Sequence, residues 1–249
     1  MRAIFLLLAA FALMGQSDPV LVPEVSQHEV RVRQGFTGTE LLLFGAVLNP
    51  EGRAGQGYDI VVVLKGPAEP IRLREKERFA GVWVNAQSND FRSVPSFFAV
   101  ASSRPISEIV DEKTAAIYEF GTAYIQLSPS GSIDPEEQLR FALGLVDLKQ
   151  RQGLYKEDMD GVQITESVLY QARISLPSNV TTGTYTAETF AVTEGRVIAS
   201  AIAEVEVRKV GMERRVEEFS QDFGLAYGLV AVLLSVFMGW GAGRIFARL

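Results

Sequence analysis

The feature that most constrains this 249-residue chain lies near its end: from Phe223 to Gly243 there is no charged residue. Leu225, Leu229, Val230, Val232, Leu233, Leu234, Val236, Phe237 and Met238 make the run densely apolar. At about 1.5 Å of rise per residue, a helix over it reaches roughly 30 Å, the thickness of a bilayer's hydrocarbon core. An interfacial helix would keep a polar face in the headgroups, and this run has none. Tyr227 and Trp240 sit near its two ends, where amphipathic rings settle at headgroup level, and Arg244 and Arg248 follow. The pattern predicts one transmembrane helix over 223–243, preceded by a juxtamembrane stalk over 211–222 and followed by a tail over 244–249.

The other end is also apolar, but shorter. Met1 and Arg2 precede an uncharged run from Ala3 to Ser17 centred on Leu6, Leu7, Leu8, Phe11 and Leu13, with small residues Gly15 and Ser17 before Asp18-Pro19. One basic residue, a short apolar centre and small residues at the end follow the plan of a cleaved signal peptide over 1–17. Basic residues do not decide the orientation, because Arg208, Lys209, Arg214 and Arg215 precede the span while Arg244 and Arg248 follow it. A cleaved signal followed by one stop-transfer helix does decide it. The expectation is a body over 18–210 outside the cytoplasm, which in a Gram-negative bacterium is the periplasm, and an inner-membrane span with a cytoplasmic C-terminus.

Between these ends, short apolar or alternating runs are separated by turn residues, among them Gln87-Ser88-Asn89-Asp90 and the hairpin turn Glu194-Gly195. Strands are expected at Glu29–Arg33, Glu40–Val47, Asp59–Leu64, Ile71–Arg74, Val82–Ala86 and Phe97–Val100, then at Val162–Ile164, Leu169–Leu176, Thr184–Val192 and Val197–Val207. Helical spacing interrupts them over about 105–153. There Ile106, Ile109, Val110, Ile117, Phe120 and Tyr124 suggest one helix, and Asp134, Pro135, Glu137 and Gly153 punctuate a second. The second has two apolar stripes, Leu139, Leu143 and Val146 on one and Phe141, Leu145 and Leu148 on the other, which predicts cover on more than one side. Gly183-Thr184-Tyr185, followed by Glu188, Phe190 and Val192, is similar to the closing strands of immunoglobulin-like domains. The fold class expected is mainly β: an immunoglobulin-like β-sandwich with an inserted helical pair, followed by one C-terminal transmembrane helix. Trp83 is expected to anchor the core.

Little in the composition points to catalysis. The chain has no cysteine and one histidine, which excludes thiolate chemistry and multi-histidine metal sites. A net charge of −6 and a pI near 5.0 argue against a nucleic-acid surface. His28 reads as a hydrogen-bonded structural residue, because no motif marks a nucleophile or an orienting acid beside it. Asp158, Asp160 and Gly161 fall at calcium-loop spacing, yet the first and last ligands would be Lys156 and Ser167, so a solvated acidic turn is expected. No catalytic, cofactor-binding or metal residue is assigned. The signal with most content is in the span, where Gly224, Gly228, Ala231, Ser235, Gly239 and Gly243 recur three or four apart and would let another helix approach closely.

Phe36-Thr37-Gly38-Thr39-Glu40-Leu41-Leu42-Leu43-Phe44-Gly45-Ala46, Ala80-Gly81-Val82-Trp83-Val84-Asn85, Val94-Pro95-Ser96-Phe97-Phe98, Gly183-Thr184-Tyr185 and Tyr227-Gly228 carry a resemblance to a family. From about Leu21 to the C-terminus the chain resembles the alphaproteobacterial transmembrane proteins of unknown function. That resemblance implies a bacterial inner-membrane protein with one C-terminal anchor, and no activity. The expected role is a non-enzymatic, membrane-anchored interaction or accessory protein that assists an inner-membrane transporter or complex. Its partner would be another integral membrane protein or a second copy, met through the transmembrane helix. The alternative is an envelope ligand-binding protein or carboxylate-based enzyme drawing on His28, Asp90, Arg92, Glu157, Asp158 and Asp160.

Overall fold

The computed structural model describes residues 20–32, 37–48, 57–131, 134–166, 168–209 and 220–246. The expected signal peptide, most of the stalk and the last tail residues lie outside them; residues 220–222 of the stalk are helical. The chain is mainly β. Its strands are β1 (Val20–Val25), β2 (Glu29–Val32), β3 (Thr39–Leu48), β4 (Asp59–Lys65), β5 (Ala68–Phe79), β6 (Val82–Pro95), β7 (Phe98–Ser102), β8 (Ser128–Pro129), β9 (Tyr155–Asp158), β10 (Val162–Thr165), β11 (Leu169–Leu176), β12 (Gly183–Thr193) and β13 (Arg196–Lys209). Its helices are α1 (Ile106–Ile109), α2 (Glu112–Tyr118), α3 (Pro135–Arg151) and α4 (Gly224–Phe246), with one 3-10 turn at Thr122–Tyr124.

The strands form a four-stranded sheet in the order β1-β3-β11-β10, a six-stranded sheet in the order β2-β13-β12-β4-β7-β9, and a three-stranded sheet β5-β6-β8. All recorded pairings are antiparallel except β7 with β9. The sequence pattern explains which strands lie deepest. β1, β3 and β11 alternate, with Leu21, Val25, Leu41, Leu43, Val47, Tyr170, Ala172, Ile174 and Leu176 buried, the period-2 signature of a strand with one wet face. β4 does not alternate: Ile60 through Leu64 are all at 0% exposure, and β7 is buried along its whole length. Such unbroken runs belong to strands covered on both faces. Across the core, β7 lies against β11 and β4 against β10.

The register of β4 against β12 sorts the other cover. Val61 pairs with Phe190 and Val63 with Glu188, so these side chains share one face. Over that face lies the segment that leaves β7. Tyr118 and Phe120 are stacked with centroids 5.5 Å apart, and both meet Phe190 edge-on, at 5.4 and 5.0 Å. The inserted segment is thus the lid of the six-stranded sheet, and it is more broken than a helical pair: α1, α2 and a 3-10 turn stand where one helix was expected. Asp111 caps α2 through Thr114 N at 2.9 Å, and α2 ends at Glu119 with φ 55°, which turns the chain back over Phe190.

α3 begins at Pro135 as its proline requires, but the Asp134 side chain makes no capping hydrogen bond. Of its two apolar stripes, only Phe141 and Leu145 of the second are buried. Phe141 and Leu145 join Phe91 and Val94 in a buried cluster, with Ile71, Leu73 and Leu127 against it. Leu139, Leu143 and Leu148 are exposed, which corrects the expectation of cover on several sides. The buried stripe continues into Lys149, whose Nζ lies 2.8 Å from Glu69 Oε1 of β5 and ties the helix to the hairpin.

β5 and β6 also run further than expected. Gln87-Ser88-Asn89-Asp90 is not a turn but the middle of β6, where a bulge between Glu75 and Lys76 takes up the register shift. The turn is Ala80-Gly81, with φ 48° and 86°. The left-handed pair matches the twist of a tight hairpin. Trp83 stands at this tip, 65% exposed, and is no core anchor. Aromatic character predicts burial only where other elements close over the strand, and α3 covers the hairpin only at its base.

Gly45 makes the clearest packing demand. In register with Tyr170 of β11, it leaves room for that ring; a Cβ there would stand 2.6 Å from the Tyr170 hydroxyl oxygen and would press on the carbonyl of Val22. Gly45→Ala is expected to destabilise the chain by about 1–3 kcal/mol, read as a lowered urea midpoint in detergent; an unchanged midpoint would show that β1 and Tyr170 can shift freely. A second tie joins the start of β4 to the end of β7. Arg104 Nε and Nη2 donate to the two Asp59 oxygens at 2.8 and 2.7 Å, and Ser103 Oγ donates to Oδ1 at 2.9 Å. The Arg104 hydrogen bonds hold the Asp59 carboxyl below the usual carboxylate range, against its partial burial and with help from Ser103. A carboxyl lowered in the folded state adds stability that is present above its unfolded value, near 3.9, and fades as pH falls through the folded value. Asp59→Asn is therefore expected to cost about 1–2 kcal/mol at pH 7, with the gap to the native chain closing on acidification below about pH 4. A gap independent of pH would rule this pair out as its source.

Candidate functional site

The residues the sequence offered for a carboxylate-based site are scattered. His28 is largely exposed, with Nε2 3.1 Å from Glu24 Oε1, and its carbonyl accepts from Glu206 N at 2.8 Å. It adjoins β2, at one edge of the six-stranded sheet, whereas Glu157 and Asp158 lie on β9 at the other. Five strand spacings separate those edges, roughly 24 Å. Asp90 is held by Arg72 on the hairpin, at 2.6 and 2.7 Å, and this guanidinium lowers its carboxyl below the ordinary range. Arg92 donates to the Ser130 carbonyl at 2.8 Å. Asp158 and Asp160 share a turn in which Asp160 N lies 3.4 Å from Asp158 Oδ1. Among the described residues no three His, Asp or Glu side chains are grouped to hold a metal ion.

Glu157 is the exception, because it has a structured setting. Its Oε1 accepts from Thr122 N at 2.5 Å and Thr122 Oγ1 at 2.6 Å, and Gln150 Nε2 donates to the same hydroxyl at 3.0 Å. This cluster knits the 3-10 turn, α3 and β9 together beside a cavity of about 550 Å3 lined by Ile106, Val110, Phe120, Tyr124 and Met159. With its oxygen occupied by two protein donors, Glu157 serves position before chemistry.

The arrangement richest in converging groups is one that sequence reasoning missed. Lys65 ends β4 on the face shared with Glu188, and its Nζ lies 2.7 Å from Glu119 Oε2 and 3.5 Å from Glu188 Oε2. The other Glu119 oxygen accepts from Gln126 N at 2.7 Å. All three charged side chains are about three-quarters buried or more. They open on a cleft of about 330 Å3 walled by Ile117, Tyr118, Phe190 and Ile202. Two carboxylates on one ammonium, beside aromatic walls, make a half-buried acidic cleft suited to hydrogen-bond donors and cations. The left-handed backbone at Glu119 aims one carboxylate, an uncommon conformation for a residue with a side chain. Sequence carries no signal for it: the three residues are far apart in the chain, and Glu119 stands where a helix would usually end on glycine.

The small residues of the span all fall on α4. Gly224, Gly228, Ala231, Ser235, Gly239 and Gly243 lie along its length, and Ser235 Oγ donates to the Ala231 carbonyl at 2.8 Å, so the hydroxyl is satisfied within the helix. α4 continues to Phe246, and Arg244 lies in its last turn, with its guanidinium 5.6 Å from the centre of the Trp240 ring. Among the described residues, Gly224–Arg244 is long and apolar enough to cross a membrane, and none of its most apolar window is buried within the chain.

Lys65→Met would leave Glu119 and Glu188 facing one another without their cation. It is expected to destabilise the fold by about 1–3 kcal/mol, seen as a lower thermal midpoint by circular dichroism. If the midpoint does not move, the two carboxylates are solvated well enough to need no partner.

No curated protein matches the chain. Residues 20–248, which include both large sheets, the hairpin and the apolar helix α4, match the family described as "Putative transmembrane protein (Alph_Pro_TM)", and the chain belongs to this family of transmembrane proteins.

Proposed function

We propose that the protein is a non-enzymatic accessory or interaction component of the bacterial inner membrane, with its β body in the periplasm and its C-terminus in the cytoplasm. In this reading α4 docks laterally on another integral membrane protein, such as a transporter or a complex, or on a second copy. The observation that carries it is the placement of Gly228, Ala231, Ser235 and Gly239 along α4, none of whose most apolar window is buried. In lipid, apolar side chains gain nothing by leaving one hydrocarbon for another, so close backbone approach at small residues is what holds helices together. Ser235 spends its hydroxyl inside its own helix, which leaves the small-residue surface smooth.

The test is crosslinking and affinity capture of the full chain from native membranes, beside a variant with leucine at Gly228, Ser235, Gly239 and Gly243 whose insertion is verified. The expected result is a defined membrane protein, or a second copy, captured by the native span and lost from the variant. Capture of neither, or equal capture by both, overturns docking through α4. The Lys65, Glu119 and Glu188 cleft favours a second reading, in which the body binds a small envelope ligand. Ligand-induced thermal shifts that Lys65→Met abolishes would support that reading over the first.

A further inference from the structure

The β5–β6 hairpin leaves the body with an end that the packing does not explain. Its base is covered by α3 through Phe141 and Leu145, and the last tie to α3 is Arg140, which reaches Glu75 at 3.2 Å and Gln87 at 2.6 Å. From Glu75 to Phe79 the strand continues for about 14 Å. There Phe79, Val82, Trp83 and Val84 are 74, 64, 65 and 42% exposed. Behind them, Arg72, Arg74, Lys76 and Arg78 alternate along β5 and so share one face, which Trp83 joins by pairing with Arg78. Arg72 is neutralised by Asp90, but Lys76 and Arg78 have no ion pair or hydrogen bond among the described residues. This cationic strip stands out on a chain of net charge −6.

We propose that the hairpin tip binds an anionic phospholipid surface, with Phe79, Val82 and Trp83 entering the headgroup layer and Arg74, Lys76 and Arg78 pairing with lipid phosphates. Charges along an exposed edge strand also keep it from pairing with other edges. That role accounts for the cations and not for four large apolar residues at the turn, which in water are a liability. A bilayer interface accounts for both: indole and phenyl rings settle at headgroup level, while basic side chains behind them meet the negative surface. α4 is long and apolar enough to anchor the chain in a bilayer, and a body tethered to lipid in this way needs only weak individual lipid contacts. The inference goes beyond docking through α4 and rests only on the chain being anchored in a bilayer.

The sequence makes the test direct, because Trp83 and Trp240 are its two tryptophans. The full chain carrying Trp240→Phe, reconstituted in vesicles of phosphatidylcholine with phosphatidylglycerol, reports on Trp83 alone. The carrier of Trp83→Phe reports on Trp240 and verifies insertion of the span. The expected result is a blue-shifted Trp83 emission, quenched more by lipids brominated near the headgroup than by lipids brominated at the chain ends. Both effects should weaken in pure phosphatidylcholine and in the triple variant R74Q/K76Q/R78Q. Trp83 emitting as in water and unquenched, while Trp240 is quenched, overturns the lipid contact and leaves the membrane anchor standing. Trp83 shielded from aqueous acrylamide but untouched by brominated lipid overturns it in favour of a protein covering the tip. Equal quenching with and without phosphatidylglycerol overturns the role of the cations, and an unquenched Trp240 removes the anchored premise itself.

Discussion

Strand β4 has no face to give to water. Ile60, Val61, Val62, Val63 and Leu64 are all at 0% exposure, so the strand needs cover on both sides, and much of the architecture follows from supplying it. One side is closed by the four-stranded sheet, whose strand β10 packs against β4 while β11 packs against the neighbouring β7. The other is closed by the inserted segment, which folds Tyr118 and Phe120 onto Phe190 beside Val61 and Val63. Burying each such side chain contributes about 1.5–3 kcal/mol, so an uncovered face would forfeit several times the cost of an ordinary surface substitution. The insertion is therefore a layer of the core, and its short helices are shaped by the sheet beneath them more than by helical propensity.

Where apolar cover ends, charged pairs fix the position of each piece. Asp59 and Arg104 clamp the start of β4 to the end of β7, Lys149 and Glu69 hold α3 on the hairpin, and Glu157 holds Thr122 of the 3-10 turn, whose hydroxyl accepts from Gln150. Pairs of this kind cost desolvation nearly in proportion to what they return, so their value lies in specifying one arrangement of elements. Tyr185 plays the same part without charge. Its ring is fully buried, its hydroxyl donates to the Thr181 carbonyl at 2.8 Å, and burial pushes that hydroxyl up to about 12.

How much of this could be read from the residues depended on the range of the forces involved. The β4 run, the Glu194-Gly195 turn with φ 50° and 77°, the Pro135 helix start and the Gly183-Thr184-Tyr185 element are local signals, and the structure places each where its chemistry points. The expectation failed where the outcome depends on what packs from elsewhere. Trp83 reads as core and stands exposed; Leu139 and Leu143 read as a packed stripe and face outward; Gln87-Ser88-Asn89-Asp90 reads as a turn and is paired strand. The candidate site followed the same division. The small residues of α4 are in phase by helix periodicity alone, whereas Lys65, Glu119 and Glu188 converge only because β4, β12 and the end of α2 meet.

By itself, the amino-acid sequence determined that this is a membrane protein with a mainly β body, because an uncharged apolar run of bilayer length and the alternation of strands each follow from the backbone's own geometry and from the cost of exposing apolar surface. It also limited the chemistry, since a chain with no cysteine and one histidine has few ways to hold a metal or a nucleophile. Only the tertiary structure decided which apolar residues are core and which form the projecting hairpin tip. It alone set His28 and Glu157 at opposite edges of a sheet and brought a lysine and two glutamates together at a cleft. Burial and charge pairing are set by neighbours distant in the chain, and no local pattern records which neighbours those will be.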